Sequence, residues 1–135
     1  MHIEHLAVYV KDLERSRAFY ERWFRATANA RYDSRNSPGF ASYFLTFPHG
    51  GARIELMQHS GAVAVAAVAV AVAAARASGY AHLAIRVDDE QLVDSLTATM
   101  LEAGVTMVSA PRRTGDGYYE SVIADPDGNL IEIVA

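Results

Sequence analysis

The chain repeats itself at a fixed separation of 77 residues, and this repeat limits the possible folds more than any other feature. The segment "HLAVYV" at 5–10 recurs as "HLAIRV" at 82–87. The same separation carries "RIELM" at 53–57 onto "LIEIV" at 130–134. A separation that holds for both the opening and the closing segment indicates two copies of one architecture within 135 residues.

Each copy predicts one strand, one helix and three further strands. In both opening strands every second residue is apolar, and these residues form one face. The histidine lies on the opposite, less apolar face. Asp12 is placed to cap the first helix, Asp88 or Asp89 caps the second, and Gly104 ends it. The remaining strands are expected at 27–32, 42–47 and 52–57, and at 106–111, 120–125 and 129–134. The sequence therefore predicts an α+β fold of two tandem βαβββ modules.

The boundaries of the modules follow from an unusual segment between them. Residues 62–75 contain only Ala and Val, a low-complexity run that is too short for a membrane helix of about 20 residues. It would be an element without a polar face or, as we interpret it, part of a poorly defined linker whose true side chains are not represented. We expect a first module at 1–58, a linker at 59–78 and a second module at 79–135, together forming one structural domain.

Composition narrows the function classes. Twelve Lys and Arg stand against 16 Asp and Glu, the net charge is −4, and no basic run is present, which argues against a nucleic-acid partner. The absence of cysteine excludes disulfides and leaves His, Asp and Glu as metal ligands. The N-terminal segment has no cleavage site typical of a signal peptide, so we expect a cytoplasmic protein without a membrane partner.

Four residues in the repeat point to a metal. His5 and His82 superpose, Glu55 and Glu132 superpose, and each His precedes its Glu by 50 residues. Glu132 interrupts an apolar strand, and a buried carboxylate costs several kcal/mol unless it is paired or binds a metal. Packing alone would favour Ile or Val at such a position. If the modules pack with pseudo-two-fold symmetry, two imidazoles and two carboxylates can converge and suit divalent Ni, Zn, Co, Mn or Fe.

The chain resembles the vicinal oxygen chelate superfamily, also called the glyoxalase, bleomycin-resistance and dioxygenase superfamily. The resemblance rests on "HLAVYVKDLERSRAFYERWF", "RIELM", "GYAHLAIRV" and "DPDGNLIEI". It implies a half-open mixed β-barrel with helices outside, a homodimer, and one divalent metal per site held by His5, Glu55, His82 and Glu132. By similarity to glyoxalase I, we expect a lyase or isomerase that converts a small α-hydroxycarbonyl or thiol adduct through a metal-bound enediolate. Glu132 or Glu55 would be the base, and Glu132 is favoured.

Other residues are candidates for binding the small-molecule substrate. Arg86 shares a strand face with His82, where the first copy has Tyr9, and it can hold a substrate anion or lie solvated at the barrel mouth. Tyr118 and Tyr119 follow a glycine-containing turn and can line a pocket or pack at its rim. Three alternatives remain open: an Fe(II) extradiol-type dioxygenase, a fosfomycin-type thiol transferase, and a metal-free binding protein of the bleomycin-resistance type.

Overall fold

A computed structural model describes residues 1–61 and 79–135 of the chain. The chain divides into two compact units, and the boundary between them lies outside the described residues. The Ala/Val run at 62–75 and most of the expected linker at 59–78 also lie outside them. Over the described ranges the structure contains two helices and nine strands.

The first unit contains one helix and a five-stranded mixed sheet. Its elements are β1 (His5–Tyr9), α1 (Leu13–Phe24), β2 (Thr27–Ala28), β3 (Tyr32–Asp33), β4 (Phe40–Thr46) and β5 (Arg53–His59). The strand order is β1-β5-β4-β2, and β3 also pairs with β4. The β1–β5 pair is parallel and the other pairs are antiparallel.

The second strand of this unit differs from its prediction. One strand was expected at 27–32, whereas the structure has the two short strands β2 and β3, separated by residues 29–31. Asn29 lies at the break, where its side-chain oxygen accepts a hydrogen bond of 2.7 Å from the backbone N–H of Phe44. A side chain therefore takes an acceptor position that a backbone carbonyl would have in a continuous strand.

The second unit repeats this plan with four strands. Its elements are β6 (Leu83–Arg86), α2 (Glu90–Glu102), β7 (Met107–Arg113), β8 (Tyr119–Ala124) and β9 (Leu130–Val134). The order is β6-β9-β8-β7, with a parallel β6–β9 pair and antiparallel pairs elsewhere. The predicted α+β class with two modules is confirmed.

Both helices begin at an aspartate cap and pack on their own sheet. The Asp12 carboxylate accepts from the backbone N–H of Arg15 at 2.9 Å, and the Asp89 carboxylate accepts from that of Leu92 at 2.8 Å, so Asp89 rather than Asp88 is the second cap. Gly104 follows α2 with a φ of +84°, where a residue without Cβ is favoured. The helices bury an apolar stripe at Leu13, Phe19, Tyr20, Phe24, Val93 and Met100. Each such side chain contributes about 1.5–3 kcal/mol when fully buried.

The repeat extends to the register of the parallel strand pairs. Ala7 lies opposite Glu55 and Ala84 lies opposite Glu132, so both partners are separated by 77 residues between modules. The loop between the last two strands differs in length by one residue, because residues 47–52 connect β4 to β5 whereas 125–129 connect β8 to β9. The strands that carry the His and Glu residues therefore match between modules, while β4 and β8 are offset by one further residue.

Candidate functional site

In the first unit the structure brings His5 and Glu55 together. His5 opens β1, and Glu55 of β5 is the Cα partner of Ala7, which is two residues further along β1 and on the same face. The His5 Nε2 and Glu55 Oε2 atoms are 3.8 Å apart. The Glu55 side chain is 17% exposed and the His5 side chain is 39% exposed. Two side chains of types that can bind a metal thus face each other at the surface of the sheet.

The second unit brings His82 and Glu132 together by the same register. His82 directly precedes β6, Ala84 is two residues further along, and Ala84 is the Cα partner of Glu132. The distance from His82 Nε2 to Glu132 Oε2 is 3.1 Å. On the parallel neighbouring strand an alanine stands opposite the glutamate in both modules, whereas on the antiparallel neighbour Phe44 stands opposite Glu55 and Val122 opposite Glu132. The predicted pairing of His with Glu is therefore present within each unit.

The carboxylate of Glu132 lies in surroundings that oppose its charge. Burial raises the pKa of Glu132 above its ordinary value, and the neighbouring carboxylates of Glu120 and Asp116 raise it further. His82 and Arg112 act in the opposite direction. A half-buried carboxylate of this kind gains most from an added positive charge.

The donors in each unit fit a divalent metal in type and spacing. An imidazole nitrogen and a carboxylate oxygen, 3.1 or 3.8 Å apart, can bind one ion of the first transition series. Within residues 1–61 and 79–135, no group of three or more His, Asp or Glu side chains is placed to hold a metal. Each unit taken by itself therefore contains one pair of candidate ligands.

A cavity of about 550 Å³ opens beside the second pair. It is lined by His82, Ala84, Arg86, Thr114, Asp116, Tyr118, Glu120, Glu132 and Val134. The guanidinium of Arg86 lies 5.6 Å from the centre of the Tyr118 ring. Across the described ranges no carboxylate forms an ion pair with Arg86. The cavity thus combines the candidate ligands His82 and Glu132 with an arginine whose charge is available to a ligand.

Glu120, which lines this cavity, belongs to an ion pair that the sequence did not reveal. Glu120 is 7% exposed, and its carboxylate lies 3.2 Å from Arg112 of the neighbouring strand β7. Val134 is the Cα partner of both Arg86 and Glu120, so these residues form one row across the sheet. Glu120 is the one charged residue of the largely buried strand β8, and this charge, like that of Glu132 in β9, was the signal that could have identified it.

The residues that line this cavity do not include the other two tyrosines predicted to bind substrate, Tyr119 of the same unit and Tyr9 of the first unit. The Tyr119 hydroxyl donates a 2.8 Å hydrogen bond to Asp94 of α2, which raises the pKa of the phenol, and the residues lining the cavity of the second unit do not include it. Tyr9 lies on the His5 face of β1, is 55% exposed, and is paired in register with Met57. Of the four predicted substrate contacts, the structure brings Arg86 and Tyr118 into the cavity with His82.

The chain belongs to the Glyoxalase/Bleomycin resistance protein/Dioxygenase superfamily, whose family model matches residues 2–133. The predicted resemblance is therefore confirmed over nearly the whole chain. No curated protein matches the sequence.

Several solved structures share the fold at low sequence identity. A glyoxylase/bleomycin resistance protein/dioxygenase domain from Frankia sp. EAN1pec is 18% identical with a TM-score of 0.80, over 99% of this chain and 96% of that one. Glyoxalase I from Zea mays is 22% identical with a TM-score of 0.76 over 98% of this chain, which spans only 44% of the maize chain. The trypanothione-dependent glyoxalase I of Leishmania major is 24% identical with a TM-score of 0.73, over 99% and 86% of the two chains.

Neither helix of the described residues has the length and apolar character needed to cross a membrane.

Proposed function

We propose that the protein is a divalent-metal-dependent, glyoxalase I-like lyase or isomerase, with His5, Glu55, His82 and Glu132 as the metal ligands. The observation that carries the proposal is the repeated His–Glu pair. Both modules hold a histidine nitrogen 3.1–3.8 Å from a glutamate oxygen, in the same strand register and opposite an alanine. Each module alone provides two ligands, and four ligands in total require one pair from each.

The bound metal would supply Lewis-acid polarisation of a substrate carbonyl or hydroxyl oxygen. The residues of the chain would hold the substrate and move its proton. Glu132 is the proposed base, because its carboxylate lines the cavity of the second unit. At that position Glu132 Oε2 can accept a proton from one substrate carbon and return it to the neighbouring carbon.

Arg86 defines the substrate class within this proposal. Its guanidinium lines the same cavity as Glu132 and is not neutralised by a protein carboxylate in the described part of the chain. Arg86 lies two residues along β6 from Ala84, the partner of Glu132, which corresponds to about 7 Å along the strand. We infer a small α-hydroxycarbonyl compound that carries a carboxylate or phosphate within a few bonds of the reacting carbons. Tyr118, stacked near Arg86, would line the same end.

The expected assembly is a homodimer, as the resemblance to the superfamily implies. Light scattering on the purified chain tests it, because a dimer has twice the 14.7 kDa mass of one chain.

Elemental analysis of protein purified without chelator tests the metal requirement. We expect about one Ni, Zn, Co, Mn or Fe per site in the wild type and a clear reduction in Glu132→Gln. Glu102→Gln is the matched control, since Glu102 ends α2 at an exposed position and its variant makes the same change in charge. A folded wild-type protein that binds no metal even after incubation with each ion would instead indicate a metal-free binding protein.

A further inference from the structure

The imidazole of His5 is surrounded by residues that have no counterpart around His82. His5 Nδ1 is hydrogen-bonded to a carboxylate oxygen of Glu4, and the other oxygen of Glu4 accepts from the guanidinium of Arg53. Arg53 lies 4.4 Å from the centre of the Phe44 ring. Phe44 in turn meets the His5 ring edge to face, with centroids 5.3 Å apart and an angle of 89°. Glu4, Arg53 and Phe44 thus form a closed set of contacts around His5.

These contacts leave one nitrogen of His5 directed at the candidate site. Glu4 engages Nδ1, while Nε2 lies 3.8 Å from Glu55. The backbone N–H of Arg53 also donates to the Glu4 carbonyl at 3.0 Å, which fixes the start of the chain beside β5. The ring is therefore constrained by a carboxylate on one edge and by an aromatic ring on its side.

The repeat shows that this arrangement belongs to one module alone. At the separation of 77 residues, Glu4 corresponds to Ala81 and Arg53 corresponds to Leu130. The side chains of Ala81 and Leu130 have no polar atom that could pair with an imidazole nitrogen. In the part of the second module that the structure describes, His82 has its contact with Glu132 through Nε2 and no hydrogen bond at Nδ1.

We propose that Glu4 is a positioning residue that keeps the proton of neutral His5 on Nδ1 and directs the Nε2 lone pair toward Glu55. A neutral imidazole has one N–H, and a carboxylate beside Nδ1 accepts from that nitrogen alone, so it selects this tautomer. Arg53 holds the Glu4 carboxylate in place, and Phe44 limits rotation of the ring. The consequence for metal binding rests on the proposed function, because a histidine ligand whose other nitrogen donates to a carboxylate is oriented and made more basic.

The tautomer can be measured directly in the metal-free protein. Long-range ¹H–¹⁵N spectra of uniformly ¹⁵N-labelled protein at about pH 8.5, well above the ordinary histidine pKa of about 6.5, report which ring nitrogen carries the proton. The His5 signals are assigned as those that disappear in His5→Gln. We expect His5 to be mainly Nδ1–H in the wild type and to shift toward Nε2–H in Glu4→Ala. Glu4→Gln, whose amide oxygen still accepts a hydrogen bond, should retain most of the Nδ1–H form.

His82 provides a control within the same spectra. Its signals should be unchanged in Glu4→Ala, which also shows that the variant is folded. A His5 that is already Nε2–H in the wild type, or that remains Nδ1–H in Glu4→Ala, would overturn the proposal.

Metal titration tests the effect of Glu4 on metal affinity separately from its effect on the His5 tautomer. Loss of this kind of supporting carboxylate weakens metal binding by roughly 10–100-fold, so we expect that increase in Kd for Glu4→Ala and none for Glu102→Ala. If Glu4→Ala changes the tautomer but not the Kd, Glu4 positions His5 as proposed and the expected consequence for metal binding is wrong. If the wild type binds no metal, the proposed function fails, whereas the tautomer measurement still decides whether Glu4 holds His5.

Discussion

The two modules share a backbone plan and the His–Glu pair, yet they place their other charged residues at opposite ends of the strand face. In the first module Glu4 and Arg53 lie around the histidine, and the far end of the face carries Tyr9 and Met57. In the second module the positions equivalent to Glu4 and Arg53 are the apolar Ala81 and Leu130, and the far end carries an ion pair and Arg86. The two copies thus differ in where charged side chains lie along an equivalent strand face.

The row of residues beyond the ligands shows this divergence most clearly. In the second module the row runs Arg86, Val134, Glu120 and Arg112 across four strands. The same row in the first module runs Tyr9, Met57, Ser42 and Tyr32. Three charged residues in one copy thus correspond to none in the other, on an equivalent backbone.

The largest effect on activity is expected from substitution of Glu132 and Glu55, whose proposed roles differ. Glu132→Gln should lower kcat by roughly 10²–10⁴-fold at saturating metal, because it removes both the proposed base and a ligand. Glu55→Gln should act mainly through weaker metal binding, and raising the metal concentration should restore much of its activity. Steady-state kinetics across a metal series compares the two variants, and equal, metal-independent losses would show that the modules do not differ in this way.

The next largest effect concerns Arg86. Arg86→Tyr installs the residue of the first module and should raise KM for an anionic substrate by roughly 10–100-fold, since a charged hydrogen bond contributes about 1.5–3 kcal/mol. The kcat should change little. Arg113→Gln is the matched control, because Arg113 is paired with Glu90 at 2.5 Å and is not among the residues lining this cavity. An unchanged KM in Arg86→Tyr would remove the anionic group from the proposed substrate.

A smaller effect is expected on stability. Arg112→Leu leaves the carboxylate of Glu120, which is 7% exposed, without its ion-pair partner and should lower the free energy of unfolding by about 1–2 kcal/mol. Tyr32→Leu changes the corresponding exposed position of the first module and should cost less than about 0.5 kcal/mol. Urea denaturation measures both, and the double variant Arg112→Leu with Glu120→Leu should recover part of the loss if the unpaired carboxylate is its cause.

The smallest effects should be equal in the two modules. Asp12→Ala and Asp89→Ala each remove a helix cap whose side chain accepts one backbone N–H, and each should cost about 1 kcal/mol. Thermal or urea denaturation checks this equality. A much larger loss of stability in one variant would show that the two caps contribute unequally to the free energy of unfolding.

The features predicted correctly from the sequence are those that occur in both modules. Two occurrences of an alternating strand, of an aspartate cap and of a glutamate in an apolar strand reinforce one another, and the structure pairs each histidine with its glutamate. The break at Asn29 was missed because it depends on a side chain that bonds to β4, a partner distant in sequence. The roles of Glu4 and of the Glu120–Arg112 pair were missed for a related reason. Each occurs in one module only, so a search for residues that are identical in the two modules does not find them.

The most direct test of the account is the metal stoichiometry of the whole chain and of single histidine variants. Calorimetric titration of metal-free protein with Zn or Ni should give one ion per chain, and His5→Gln and His82→Gln should each weaken that single event strongly. That result would show that one pair from each module holds the same ion. Two ions per chain, with each variant losing only one of them, would contradict the central claim and make the modules separate metal sites.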